Sequence, residues 1–510
     1  MINNIRQLLE QRTETFSEKN FLYSEIDGRI WTYTEFNLSV NRTANMLRSR
    51  GIAKGDVVSL LMPNSAEYII AYFACWKIGA VAGPINSLLK PEEIRWAVEN
   101  SEAKFMLVGS DWTASVPACL IPANPLDSPR FVTFDNYEHA AGSCSSELEP
   151  VELNKDDEAI IIYTSGTTGR PKGCLLTHGN LVANARQITE WMGFGPNDRL
   201  LTVMPLFHMN AVSVTTMTAL FAGGSTVVAQ KFSASRFWDW IEKYRITSFG
   251  SVATMLSMLL ERGLPARESP AGSLRSLRFA MCGSAPVPAE VLKRFEETFG
   301  CLVIEGYGLS ESTCRSTFNP PNEKRQPGSC GQAIGNEMKI VDESDNEVAD
   351  GELGEIVLRG ENILKGYFKN EQATAQAFAG GWFHTGDIGY RDADGFYYIA
   401  DRKSDMIIRG GENIYPREID DLLYTHPAIA SAAVIGVPDE LYGEEVAAFV
   451  VRKDGTDVSA QDLIDFCRNH LADFKCPKTF TFLKEIPKGP TGKLLKRELA
   501  AMFTGQAANI

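Results

Sequence analysis

Strand-like apolar runs alternate with helical patterns along most of this chain, as in VVSLLM (57–62), AEYIIAYFACWKIG (66–79), AKFMLVG (103–109) and EAIIIYTS (158–165). The alternation predicts α/β construction, because a strand–helix–strand crossover lays successive strands parallel in one sheet. After about residue 330 the pattern changes. MKIVDESDNEVADGELGEIVLRG (338–360) predicts a strand, an Asp/Gly turn and a second strand, and residues 380–411 predict short strands punctuated by Gly and Asp. Together these segments suit an antiparallel β-section that closes a first large domain.

Beyond a boundary near 401–405 the pattern is compact α+β. PREIDDLLYTHP (416–427) and SAQDLIDFCRNHL (459–471) predict helices, the second capped by Ser459, and SAAVIGVP (431–438) and VAAFVVRK (446–453) predict strands. The expectation is an α/β fold in two domains. Residues 1–401 form a large multi-layer N-terminal domain with a β-section, and 402–510 a small α+β C-terminal domain.

One passage needs a membrane check. Leu200 to Gln230 holds no Lys, Arg, Asp or Glu, which is long enough to span a bilayer. It also contains Pro205, His208, Asn210 and Gly223-Gly224, and reads better as a buried strand (200–205), a helix (210–221) and a strand (225–230). The N-terminal MINNIRQLLEQRTETF lacks the basic start and apolar block of a secretory signal.

Composition narrows the partners. The 510 residues carry a net charge of -14, which argues against a general nucleic-acid or anionic-membrane binder. Small polyanions need only a local cluster of donors and are not excluded. The 10 cysteines show no C-x-x-C spacing, so neither a zinc ribbon nor a redox pair is suggested, and free thiols in a reducing cytoplasm are the expectation. Against the acidic background, Lys475–Arg497 stands out as a basic segment with Glu485 its one acid.

The strongest chemical signal is Tyr163-Thr-Ser-Gly-Thr-Thr-Gly-Arg-Pro-Lys-Gly173, where an apolar strand feeds a loop of Gly, Ser and Thr with two cations, Arg170 and Lys172. Glycines let backbone N–H groups turn toward an anion, hydroxyls add donors, and the cations add charge, as a triphosphate requires. The spacing is not that of a Walker A loop, since Gly173 follows Lys172.

This string resembles the phosphate-binding signature of the adenylate-forming enzymes, a superfamily of acyl-CoA synthetases, adenylation domains of peptide synthetases and luciferases. Four further segments resemble the family's other motifs in order: Glu305-Gly-Tyr-Gly-Leu-Ser-Glu-Ser312, His384-Thr-Gly-Asp387, the stretch Asp401–Ile414, and Pro487-Lys-Gly-Pro-Thr-Gly-Lys493. The likeness covers essentially the whole chain and is closest to the CoA ligase branch with its carnitine, coumarate and medium-chain ligases. It implies an ATP-dependent acid–CoA ligase. The acid becomes an acyl-AMP with release of pyrophosphate, and coenzyme A then takes the acyl group.

The resemblance also implies roles. Thr164, Ser165, Gly166, Thr167, Thr168, Gly169 and Lys172 would face the phosphates. Gly283, Ser284, Ala285, Pro286, Glu305, Gly306, Tyr307, Gly308 and Ser310 would border the adenine, Asp387 would hold the ribose, and Arg402 would reach the same ribose or a phosphate. Glu311 would hold Mg2+, which favours a carboxylate beside phosphate oxygens. Lys493 would bridge the attacking carboxylate and the α-phosphate, where two anions must meet and positive charge is the catalyst's main contribution. Thr164, His208 and Glu311 complete the catalytic set. Arg409, Gly410, Gly411 and Glu412 would line the coenzyme A passage. Ser404 occupies the pivot of a mobile lid, where the family often has Asp or Lys.

The acyl pocket would draw on Phe207, His208, Ser251, Gly283, Gly306, Cys314 and Arg315. Phe207-His208 resembles a gate at the pocket mouth, and a satisfied core histidine is the alternative for His208. Arg315 either meets a second anionic group on the substrate or pairs with an internal Asp or Glu. The pairing is the expectation, since buried charges are normally matched. Rivals to a ligase are a carrier-protein-directed adenylating enzyme, for which the chain has no carrier domain, and a non-catalytic nucleotide-binding regulator. The working unit would be a monomer or homodimer.

Overall fold

The computed structural model describes residues 2–109, 131–133, 140–164, 171–264, 274–283, 289–488 and 494–507. Two seven-stranded sheets dominate. In the first, the order is Leu302–Glu305, Phe279–Cys282, Ser248–Ser251, Arg199–Thr202, Ser225–Val228, Asn20–Ser24 and Ile30–Thr32, with every pairing parallel except the last. In the second, Val81–Pro84, Val57–Leu61, Phe105–Val108 and Phe131–Thr133 run parallel beside Glu158–Thr164. The strand Lys172–Thr177 turns back antiparallel on it, followed by the short Gly366–Tyr367.

The helix Ala66–Lys77 is buried at every residue, as a helix apolar on all sides must be. Its Tyr68, Tyr72 and Trp76 follow one another with ring centroids 5.2 Å apart. Two charges fall within it, Glu67, which pairs with Arg29, and Lys77. The Lys77 ammonium is satisfied by Asn37 and Asn41 at 2.8 Å each and by Glu10 at 3.2 Å.

The antiparallel section is the four-stranded sheet Glu337–Val341, Gly354–Arg359, Phe383–Arg391 and Tyr397–Arg402. The chain then passes to a five-stranded sheet built from Ile407–Arg409, Glu412–Ile414, Ile429–Asp439, Gly443–Arg452 and Thr479–Phe482. This last sheet has its own apolar clusters, around Val434, Ala448 and Leu463 on one side and Phe449, Ile486 and Leu499 on the other. Ser459 caps its helix as expected, accepting from the N–H of Asp462.

The uncharged passage departs from its expected form. Strands Arg199–Thr202 and Ser225–Val228 are present, but the helix between them opens as a π-helix over Asn210–Met217 before becoming α over Thr218–Phe221. The cause is local. Thr216 and Thr218 donate their hydroxyls to the carbonyls of Ala211 and Ser213, five residues back, at 2.9 Å each, which suits the wider turn. Among the described residues no helix is long and apolar enough to cross a membrane.

Candidate active site

The carboxyl ends of three neighbouring parallel strands form a floor. Ser251 ends one strand, Gly283 follows the next and Gly306 the third, with the ladder continuing through Gly283 N–H to the Ser251 carbonyl (3.4 Å) and Gly306 N–H to the Cys282 carbonyl (2.9 Å). Ligands of open parallel sheets settle at this end. Glycine is required at position 283, because a β-carbon there would lie 2.6 Å from Arg315 Nη2 and 2.7 Å from the Gly306 carbonyl oxygen. Glu305 turns the other way. Its carboxylate accepts from the Gly328 N–H at 2.9 Å, and burial pushes its pKa up to about 7. Its backbone, not its charge, belongs to the floor.

The segment after Gly306 folds back on itself. Ser316 and Thr317 N–H groups both donate to the Tyr307 carbonyl, and the backbone of Gly308 runs so close to Cys314 that a β-carbon would strike its carbonyl. A single 3₁₀ turn, Ser310–Ser312, then presents Glu311. The Glu311 carboxylate lies 3.5 Å from the Thr164 hydroxyl and accepts from Tyr367 Oη at 3.2 Å. Thr164 and Lys172 are opposite one another on the antiparallel strands that bracket the Gly/Thr loop. The Lys172 ammonium stands 5.0 Å from the centroid of the Tyr367 ring. Glu311 is therefore at the mouth of that loop. Ser165, Gly166, Thr167, Thr168, Gly169, Ser284, Ala285, Pro286 and Lys493 lie outside the described residues.

Asp387 and Arg402 are cross-strand partners in the antiparallel sheet. Asp387 is buried, receives the Tyr307 hydroxyl at 2.5 Å on one oxygen and contacts Arg402 Nε at 2.9 Å with the other. Burial, helped by Asp387, holds the Tyr307 phenol well above its usual range, so it remains a donor. Burial also opposes the Arg402 charge, but Asp387 and Tyr307, with smaller contributions from Asp405 and Glu311, raise its pKa on balance.

The side expected to take the acid contains a correction. Arg315 is 1% exposed, its Nη1 reaches only the Cys314 carbonyl (3.2 Å), and its Nε and Nη2 have no hydrogen-bond partner. Among the described residues it makes no ion pair, and the expected internal Asp or Glu is not found there. Glu311, four residues earlier on the same loop, is turned to Thr164 and Tyr367 instead. Cys314 is buried beside it. His208 packs on Phe207 with ring centroids 4.6 Å apart and leaves Nε2 unpartnered, so it is not a satisfied core histidine. Burial lowers its pKa to about 4, which makes it neutral at pH 7.

The residues expected to meet coenzyme A have partners of their own. Arg409 is clamped by Glu445 at 2.6 and 2.9 Å and stacks 3.9 Å from the centroid of Tyr442. Gly410 and Gly411 make the turn with φ of 59° and 92°, and Glu412 opens the returning strand, exposed. Ser404 donates its hydroxyl to its neighbour Asp405 at 3.1 Å, between the two sheets.

One residue at the site escaped the motif reading. Tyr367 lies between motifs on a strand of 2 residues, too short to leave a period. Asn210, within the segment 209–213 expected to wall the acyl pocket, is buried with both side-chain polar atoms unpartnered.

Comparison with known proteins identifies the family. A profile of AMP-binding enzymes matches residues 9–368, and one of the AMP-binding enzyme C-terminal domain matches 418–493. A sulfoacetate–CoA ligase of Cupriavidus necator is 36% identical over 98% of each chain. An oxalate–CoA ligase of Arabidopsis thaliana is 35% identical over 97% of this chain and 98% of its own. Among solved structures, ATP-bound MatB from Rhodopseudomonas palustris superposes with a TM-score of 0.90 at 30% identity, over 98% of this chain and 99% of that one.

Proposed function

The chain belongs to the AMP-binding enzyme family and is an AMP-forming acyl-CoA synthetase, and from that premise we propose how its own residues divide the work. Its substrates are a carboxylic acid, ATP and coenzyme A. The observation that carries the assignment of residues is the meeting of separate motifs at one strand-end floor: Thr164 with Glu311, and Tyr307 with Asp387 and Arg402.

Thr164, the loop 165–169 and Lys172 cradle the phosphates. Gly283 and Gly306 let the adenine and the acid approach the backbone, with Ser284–Pro286, Tyr307, Gly308 and Ser310 around the base. Asp387 and Arg402 hold the ribose. In the first half-reaction a carboxylate oxygen bonds to the α-phosphorus as the bond to pyrophosphate breaks. Lys493 offsets the charge that gathers there, an effect strongest where water is excluded. In the second, the coenzyme A sulfur bonds to the acyl carbon, AMP leaves with the oxygen it gained, and the thiol proton is lost.

Glu311 fits a divalent cation. It brings a hard oxygen donor next to the Thr164 hydroxyl, and no group of three or more His, Cys, Asp or Glu is gathered among the described residues. A site with one carboxylate leaves the remaining positions to phosphate and water, as Mg2+ prefers. When bound, Mg2+ would neutralise phosphate charge.

Residues 402–510 act as a lid that pivots near Ser404, bringing Arg409–Glu412 in for the second half-reaction. Support comes from the change of sheet between Arg402 and Ile407 and from the separate apolar clusters beyond it. The described cysteines are all free, which suits a reducing cytoplasm. The test is pyrophosphate release with ATP across short, medium and long fatty acids, aromatic acids, dicarboxylates and betaines, followed by acyl-CoA formation. A productive acid must yield AMP and a thioester in equal amounts.

A further inference from the structure

We propose that the acid this ligase activates is short and carries a second anionic group, a carboxylate or a sulfonate, which Arg315 binds. The proposal rests on the ligase reading and adds the substrate class. A guanidinium with two unpartnered nitrogens at 1% exposure is costly unless something brings a counter-charge. The fold nevertheless fixes residue 315 firmly. Its carbonyl accepts from Asn184 Nδ2 at 2.7 Å and Asn362 Nδ2 at 3.2 Å, both of them fully buried. The Phe318 ring, 5.4 Å from the guanidinium carbon, adds only a weak attraction.

The surroundings are built for an anion rather than an alkyl chain. Gly250 pairs with Met281, and Met281 with Ile304, so by the two-residue period Gly250, Gly283 and Gly306 open on one face of the sheet. The Arg315 guanidinium lies over Gly283 on that face, and the Asn210 amide lies over Gly250, where a β-carbon would be 2.6 Å from Oδ1. Neither polar atom of that amide has a partner. An apolar chain entering here would leave the guanidinium and the amide unsatisfied. A carboxylate or sulfonate would accept from both. The acid must also be short, because the guanidinium occupies the space directly at the strand end, close to where the reacting carboxylate meets ATP.

The test is a ratio of kcat/KM values from pyrophosphate release. Oxalate, malonate, succinate and sulfoacetate are compared with acetate, propanoate and butanoate, in wild type, Arg315→Leu and Arg315→Lys. The wild type should prefer an acid of the first set by about 100-fold or more, and Arg315→Leu should lower that preference by about 30-fold or more with the KM for ATP unchanged. Arg315→Lys, which keeps the charge but loses the fork, should fall between, and it decides the matter with the wild-type ratio should Arg315→Leu not fold. A wild type that makes acyl-CoA chiefly from apolar acids overturns the proposal and leaves the ligase reading standing. So does a preference that Arg315→Leu and Arg315→Lys leave unchanged. A wild type that releases pyrophosphate with no acid overturns the ligase reading itself, and this proposal with it.

Discussion

Tyr307 donates its hydroxyl to Asp387 across 2.5 Å, joining a residue of the strand-end loop to one of the antiparallel sheet. Arg402 takes the other Asp387 oxygen at 2.9 Å. The carboxylate is thus aimed before any nucleotide arrives, and ribose hydroxyls must share it with partners that fix its direction.

Asp387→Ala removes the acceptor and strands both a half-buried phenol and a guanidinium. The KM for ATP is expected to rise about tenfold or more, and loss of the paired groups should cost about 1–3 kcal/mol of stability. Steady-state kinetics with varied ATP and a thermal melt check the two parts. Unchanged ATP kinetics would move the ribose elsewhere.

Glu311→Gln keeps the shape of the side chain and removes its charge. More Mg2+ should then be needed for half-maximal pyrophosphate release, while hydrogen bonding to Tyr367 can persist. Titration of Mg2+ at fixed ATP reads the shift. A curve that overlays the wild type would assign Glu311 to structure.

The two half-reactions should separate by mutation. Lys493→Ala is expected to slow adenylation by about 10²–10³-fold or more while leaving thioester formation from pre-made acyl-adenylate largely intact. Gly411→Val, at a backbone φ of 92° that L side chains rarely adopt, should do the reverse. Equal losses in both halves for both variants would contradict the division of labour.

How much of this was legible in sequence depends on the kind of signal. Local ones survived. The Ser459 cap, the apolar strand runs and the Asp/Gly hairpin between 341 and 354 are set by neighbours along the chain, and they formed as expected. The π-helix at Asn210–Met217 was not legible, because it depends on where the Thr216 and Thr218 hydroxyls find carbonyls. Arg315 was legible as an unusual charge, but its lack of a partner was not. A sequence shows which acids exist, and only the fold shows that, among the described residues, none pairs with it. The same holds for Glu305, where the strand period turns the carboxylate toward Gly328 rather than the floor.

Glu305 also sets a pH dependence. Burial raises its pKa to about 7 from an ordinary 4.5, so the native state holds a proton that the unfolded state releases between those values. Its contribution is most favourable below about pH 4.5 and is lost as pH rises through about 7. Glu305→Gln, which can still accept from Gly328, removes that slope. The variant's melting temperature should gain on wild type as pH climbs from 5 to about 7 and then hold a constant lead. A difference independent of pH would mean that Glu305 is ionised throughout.

The central claim is that the acid is activated on ATP before coenzyme A takes part. The direct measurement is exchange of labelled pyrophosphate into ATP by the wild-type enzyme, with its best acid and Mg2+ present and coenzyme A absent. The account predicts exchange that requires the acid and proceeds without coenzyme A, because acyl-adenylate and pyrophosphate form reversibly in the first step. Exchange that appears only when coenzyme A is added, or ADP in place of AMP as the product, would contradict it.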